Sequence, residues 1–201
     1  VNDSSSVSQG ATIADSTTTS VAYSGGISDV HASINSQGSR TAGMTKVSAK
    51  DADVNITVTN AVSCSIGSAI VGFTTGTVQF TGGVEDTLAN LASVGSGQIT
   101  SELSTIKTED SDVNITVSHN ITDATANNIT DLNAVMNATS GTVTATVDGN
   151  VTELVDLQAT GTTSTQALTI TVDNSGTVAQ GATIADSTTG TVTYTTGISD
   201  E

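Results

Sequence analysis

Residues 172–201 read VDNSGTVAQGATIADSTTGTVTYTTGISDE, and residues 1–30 read VNDSSSVSQGATIADSTTTSVAYSGGISDV. The two stretches align without a gap at an offset of 171 and share the core QGATIADSTT. A fixed period of this kind is the sequence signature of a repeat architecture. It implies supersecondary units stacked on their neighbours rather than one globular core. Such arrays serve as rods, stalks, fibres or binding scaffolds more often than as enzymes.

The period subdivides. The triplet ITV occurs at Ile56–Val58, Ile115–Val117 and Ile170–Val172. With Val1 at the same point, the valines stand 57, 59 and 55 residues apart and span the whole period. A second marker, rich in Thr, Ser and Gly, ends at Val21, Val78, Val143 and Val192; two residues later come Tyr23, Phe80, Ala145 and Tyr194. A third marker is DADVNITV, from Asp51, against DSDVNITV, from Asp110. Three markers in register predict units at residues 1–57, 58–116 and 117–171, with 172–201 opening the next super-repeat.

Composition narrows the class. The 201 residues include 20 acidic against 4 basic side chains, a formal charge of −16, with no proline, no tryptophan and one cysteine. The apolar residues are mostly Val and Ile in strand alternation, which predicts an ordered, β-rich chain with a thin core. Nucleic-acid binding needs a Lys/Arg stripe, and Arg40, Lys46, Lys50 and Lys107 form none. The charge also argues against anionic membrane surfaces, and no apolar run reaches the length of a membrane span. The absence of a signal peptide and of an initial Met suggests an internal or processed piece. Cys64 lies in AVSCSIGSAIVGF, where Val7, Ile129 and Val178 hold the equivalent place, so it reads as a small buried hydrophobe.

Each unit reads as a strand, a connector, a second strand and a variable segment. Val54, Ile56, Val58 and Val113, Ile115, Val117 alternate as half-buried strands do. In the third unit Ile129, Leu132, Val135 and Met136 have helical spacing. The equivalent QGATIADST segment carries Gly and Thr, so its helicity is in doubt. The second strand, GTVTATV or GTVTYTT, is expected to end in turns at Gly25-Gly26, Gly82-Gly83 and Asp148-Gly149. Short helices are expected in EDTLANLAS (Glu85 to Ser93) and VTELVDLQA (Val151 to Ala159), and a loop from His31 to Lys50. Strand and helix in alternation predict parallel strands joined by crossovers. The expected fold is therefore a β-rich α/β tandem repeat, a solenoid-like stack of roughly 57-residue units. The alternative is a string of β-sandwich domains, although a unit with two convincing strands is short for one.

The candidate chemistry is acidic. Asp51, Asp53 and Asn55, and again Asp110, Asp112 and Asn114, form D-x-D-x-N, whose alternate residues would present oxygens to one side of an extended segment. Calcium takes six to eight oxygens, and an EF-hand loop opens with this spacing; the Gly and distal Glu of that loop do not follow here. The plainer reading is a solvated turn entering a strand. Asp29, Asp86 and Asp200, each ending a G-[IV]-x-D turn, would add ligands across stacked units. The threonine rows Thr142, Thr144, Thr146 and Thr191, Thr193, Thr195 read as solvated strand faces. Seven N-x-S/T sequons occur, at Asn2, Asn55, Asn114, Asn120, Asn128, Asn137 and Asn150. His31 and His119 have no evident catalytic partners, and no nucleophile, phosphate-loop or zinc signature is present. No enzyme activity is expected.

The stretch from Ile129 to Val172, ITDLNAVMNATSGTVTATVDGNVTELVDLQATGTTSTQALTITV, resembles repetitive regions of giant acidic surface proteins of cyanobacteria and other marine bacteria, of the adhesin and cell-surface-layer kind. The resemblance implies secretion, a calcium-containing environment and a mechanical or adhesive task, with no catalytic residues. The expected function is a structural tandem-repeat segment of an extracellular fibre, sheath or surface layer. Its partner would be itself, head-to-tail or lateral. The alternative is a stalk or ligand-binding module of a calcium-dependent adhesin, with the His31–Lys50 segment contacting a glycan.

Overall fold

The computed structural model describes residues 1–158 and 165–199. They form a mixed α/β structure with mostly parallel sheets and no closed barrel. The chain gathers into two compact units: Val1–Val84 with Thr105–Val113, and Glu85–Ser104 with the chain from Asn114 onward. This division differs from the periods of the sequence.

In the first unit α1 (Val7–Asp15) leads to β1 (Ile27–Asp29) and α2 (His31–Ile34). A hairpin of β2 (Asn35–Ser36) and β3 (Ser39–Arg40) follows, then α3 (Ala42–Lys50), β4 (Ile56–Val58), α4 (Cys64–Val71) and β5 (Val78–Phe80). The sheet runs β1-β4-β5, all parallel, with Ile27 opposite Ile56 and Ile56 opposite Val78. Parallel neighbours need crossover connections, which the helices supply. Alternation buries Ile56, Val58, Val78 and Phe80 on the core face.

Two expectations are corrected here. The QGATIAD segment is a helix despite its Gly and Thr. A capping box starts it: the Ser6 hydroxyl accepts from Gln9 N, and the Gln9 side chain accepts from Ser6 N. Its glycine sits at a close approach, since a Cβ on Gly10 would lie 2.9 Å from Val47 Cγ2 and 3.0 Å from Ile27 Cδ1. The His31–Lys50 stretch is not a loop but helix, hairpin and helix. Helix α3 buries only Met44 and Val47 and relies on Thr41, whose hydroxyl accepts from Met44 N, so its apolar stripe is too thin to read by periodicity.

The second unit takes Glu85 and Asp86 from β6 (Val84–Asp86). It continues through α5 (Leu88–Leu91), a hairpin of β7 (Ala92–Ser93) and β8 (Gln98–Ile99), and the start of α6 (Ser101–Glu109). After β9 (Ile115–Val117) and β10 (Ile121–Ala124) come α7 (Ala126–Met136), β11 (Val143–Gly149), α8 (Val151–Leu154), β12 (Ala167–Val172), α9 (Val178–Asp186) and β13 (Val192–Tyr194). The sheet order is β13-β12-β11-β9-β6, with β10 beside β11. Strand β11 pairs in parallel with β9 near its start, Val143 opposite Ile115, and with β10 near its end, Val147 opposite Ile121. Helix α7 buries Ile129, Leu132, Val135 and Met136, the four positions its spacing predicts.

The turns expected at Gly25-Gly26 and Gly82-Gly83 are present, but the segments that follow them, the Asp148-Gly149 turn and the short helices need correction. The G-[IV]-x-D segments are strands, not turns: Ile27–Asp29 is β1 and Val84–Asp86 is β6. Gly26 and Gly83, at φ of 73° and 78°, complete the turn one residue earlier in a left-handed conformation. The chain is then already extended at Ile27 and Val84, whose side chains are buried. Asp148-Gly149 lies inside β11 rather than in a turn. Val21–Tyr23 is not a strand. The helices in EDTLANLAS and VTELVDLQA shrink to Leu88–Leu91 and Val151–Leu154; Ala159 lies outside the described residues.

Helices α1 and α9 begin and end 171 residues apart and carry the same kind of capping box, with Thr177 and Gln180 in place of Ser6 and Gln9. Tyr23 donates its hydroxyl to Gly10 O at 2.6 Å, and Tyr194 donates its own to Gly181 O at 2.8 Å. The two segments therefore share their helix, its cap and the tyrosine bond, but not the strand at Val192–Tyr194, which the first copy lacks at Val21–Tyr23.

Glycines stand where backbone meets backbone. A Cβ on Gly82 would lie 2.1 Å from the Asn60 carbonyl carbon, whereas one on Gly72 would have its nearest neighbour at 3.4 Å. Gly82→Ala is therefore expected to cost about 1–3 kcal/mol, and Gly72→Ala to stay within about 0.5 kcal/mol of neutral. Urea denaturation of both variants checks this; equal stabilities would contradict it.

Candidate functional site

The D-x-D-x-N segments fasten one stretch of chain to another. Asp51 Oδ2 accepts from Tyr23 N at 2.6 Å, and Asp110 Oδ2 accepts from Phe80 N at 2.7 Å. Asn55 Oδ1 accepts from both the amide and the hydroxyl of Thr77, each at 3.0 Å. Asn114 Oδ1 accepts from Thr142 N at 2.9 Å. The first Asp thus bonds an earlier stretch of the chain and the Asn a later one. Asp53 and Asp112 are exposed. Among the described residues, no three or more His, Cys, Asp or Glu side chains gather where they could hold a metal ion.

Other polar residues do the same work, and single-residue reading of the sequence passes over them. Asn60 Oδ1 accepts from His31 N, and Asn174 Oδ1 from Val151 N, so each asparagine holds the first residue of a short helix. Thr74 Oγ1 donates to Val54 O at 2.6 Å while accepting from Gly76 N at 2.9 Å. Thr188 Oγ1 donates to Leu168 O and accepts from Leu168 N and Gly190 N, all at 2.8 Å. The signal was present in the T-x-G step shared by both places. Buried Asp131 accepts from Gly95 N at 2.7 Å and Gly97 N at 3.3 Å.

Two carboxylates are held more readily protonated than usual. Burial raises Asp110 above the ordinary carboxylate range; a hydrogen bond to Asp112 and the repulsion of its charge add to this, and the Phe80 amide opposes it. Asp148 is raised first by a hydrogen bond to Asp173, then by burial and by the charge of Asp173. Asp148 lies near the end of β11 and Asp173 directly follows the neighbouring β12, where Asp173 N donates to Gly149 O. Asp148 Oδ1 is buried without a hydrogen-bond partner. Both tyrosines are raised by burial, Tyr23 also by the nearby charge of Asp51.

The remaining candidates have structural settings. Cys64 is buried at the first position of α4, as its apolar surroundings imply. His119 is exposed, with Nδ1 3.1 Å from Ser118 Oγ. Arg40 donates to Phe73 O at 2.6 Å through Nη2 and lies 5.4 Å from the Phe73 ring centroid. Lys46 pairs with Asp15 at 2.6 Å, and Lys50 donates to Thr17 O at 2.8 Å. Among the described residues, no helix is long and apolar enough to cross a membrane. No protein-family model, curated protein or solved structure matches the chain.

The Asp110 bond separates two effects. Asp110→Ala strands the Phe80 amide and is expected to cost about 1–3 kcal/mol. Asp110→Asn keeps an acceptor, removes the repulsion from Asp112 and is expected to be neutral or stabilising at neutral pH. A carboxyl raised on folding contributes stability that is present below its unfolded pKa and lost as pH rises through the folded one. Acidification from about pH 7 toward about pH 4 should therefore stabilise the native chain through Asp110, and Asp110→Asn should flatten that slope. Melting curves across this range check both; an unchanged slope would contradict the assignment.

Proposed function

We propose that this chain is a structural tandem-repeat segment of a large extracellular fibre, sheath or surface layer, built as a solenoid-like stack of units that self-associates. The observation that carries this reading is a pairing that recurs with one step. Ser5 bridges Ile27, Val62 bridges Val84 and Gly176 bridges Ile198, all in parallel and each 22 residues apart. The same step separates Ile56 from Val78 and Ile170 from Val192. The other parallel pairings, Ile27 with Ile56, Ile115 with Val143, Ile121 with Val147 and Thr144 with Ala167, have longer steps, so the 22-residue step recurs in alternation with them; short parallel strands so arranged leave a sheet edge and helix faces for a like unit to continue. The side chains rich in chemistry, including Asp51, Asp110, Asn55 and Asn114, support the reading because they bond backbone.

The charge of −16 fits an extracellular, solvated polymer: it keeps unassembled copies apart and makes association depend on ionic strength. Sedimentation of the purified chain over a range of concentrations and salt, with electron micrographs of the same samples, tests the proposal. Reversible association that strengthens with salt and a continuous axial repeat are expected. A compact monomer under every condition would overturn the reading.

A further inference from the structure

The open face of the second unit's sheet carries an ordered array of hydroxyls. Strand β11 buries Val143, Ala145 and Val147, so Thr144 and Thr146 point to the opposite face. In β12 the buried Leu168, Ile170 and Val172 leave Thr169 and Thr171 on that same face. Each row is visible within one strand of sequence; the parallel register lines the rows up across strands. Thr146 lies opposite Thr169, and Thr171 opposite Thr193 of β13. On the other side of β11, Thr144 lies opposite Thr116 of β9. Thr146 and Thr171, in the middle, are half-buried by their neighbours; Thr116, Thr144, Thr169 and Thr193 are exposed.

These threonines differ from others of the chain in what their hydroxyls do. Thr74, Thr188 and Thr195 donate to backbone carbonyls. Among the described residues, the hydroxyls of the array bond no protein atom. The array does not depend on an open sheet edge, since β11 and β12 have strands on both sides. Ala22, which matches Thr193 at the offset of 171, is exposed too, although α3 and β4 pack around that copy. The chemistry of the face is uniform. Its rows hold no cation to grip an anionic polymer and no aromatic ring on which a sugar could stack. A mineral lattice would call for rows of carboxylates, and the one acid in register is Asp148, opposite Thr171 at the end of the array.

We propose that this threonine face binds ice. Adjacent strands stand about 4.8 Å apart, and same-face residues along a strand about 6.6 Å apart. Hexagonal ice repeats its oxygen atoms at comparable distances along its a and c axes. Each threonine supplies a hydroxyl that anchors a lattice water and a methyl group that fits between waters. The β-branched side chains are stiff at χ1, so little freedom is lost when the water above them orders. The face is distinct from the sheet edge and helix faces of the self-associating reading, and the proposal does not rest on that reading.

The test is partition of the amine-labelled full chain into slowly growing ice, with a co-dissolved inert protein to report passive trapping. Enrichment in the ice over the inert protein is expected. Thr169→Tyr keeps strand propensity but raises a bulky ring from the array, and is expected to weaken ice binding about tenfold or more. Thr146→Val keeps the shape, removes one unbonded hydroxyl and is expected to weaken it about threefold; it carries the test if Thr169→Tyr does not fold. Thr12→Tyr, on the exposed surface of α1, is expected to leave binding unchanged. Melting curves of each variant separate loss of folding from loss of the face. A chain no more enriched in ice than the inert protein would overturn the proposal. So would folded Thr169→Tyr and Thr146→Val chains that enter ice as the parent does. Capture on chitin or cellulose powder without enrichment in ice would overturn it in favour of a polymer surface.

Discussion

The structure depends on holding very short parallel strands together. Strands β1, β4, β5, β9 and β13 have three residues each, and a strand of that length offers few ladder bonds of its own. The pairing is extended by side chains that bond backbone across neighbouring stretches. Asp51 and Asp110 receive the Tyr23 and Phe80 amides, Asn55 and Asn114 receive Thr77 and Thr142, and Thr74 and Thr188 bridge to Val54 and Leu168. An exposed hydrogen bond contributes little, but a buried amide left without a partner is expensive. The recurrence of Asp, Asn, Thr and Gly at fixed points thus follows from backbone accounting.

Much of this was legible in the residues. The alternation in VNITV marked β4 and β9, and the spacing of Ile129, Leu132, Val135 and Met136 marked α7. The helices α1 and α9 were obscured because Gly10 and Gly181 lower helix propensity yet permit close packing, a tertiary gain that propensity cannot register. Helix α3 escaped because two buried residues and a threonine cap make too faint a stripe. The G-[IV]-x-D segments read as turns because the glycine is conspicuous, whereas the strand begins directly after it.

The acidic motifs illustrate a second limit of reading residues singly. D-x-D-x-N has the spacing of a cation loop, but the structure gives an oxygen of Asp51 and of Asn55 to amides on opposite sides of the segment. Which neighbour a side chain meets is decided by parallel register, and that register is a property of several strands together.

Amide hydrogen exchange measured residue by residue by NMR tests the central claim most directly. Tyr23 N and Phe80 N bond Asp51 and Asp110; Tyr23 lies outside any strand, and Phe80 is the last residue of β5. The account predicts that both exchange slowly, within about tenfold of Ile56 and Ile115, whose amides bond strand-flanking carbonyls. Exchange of Tyr23 and Phe80 at the rate of exposed loop amides would contradict it.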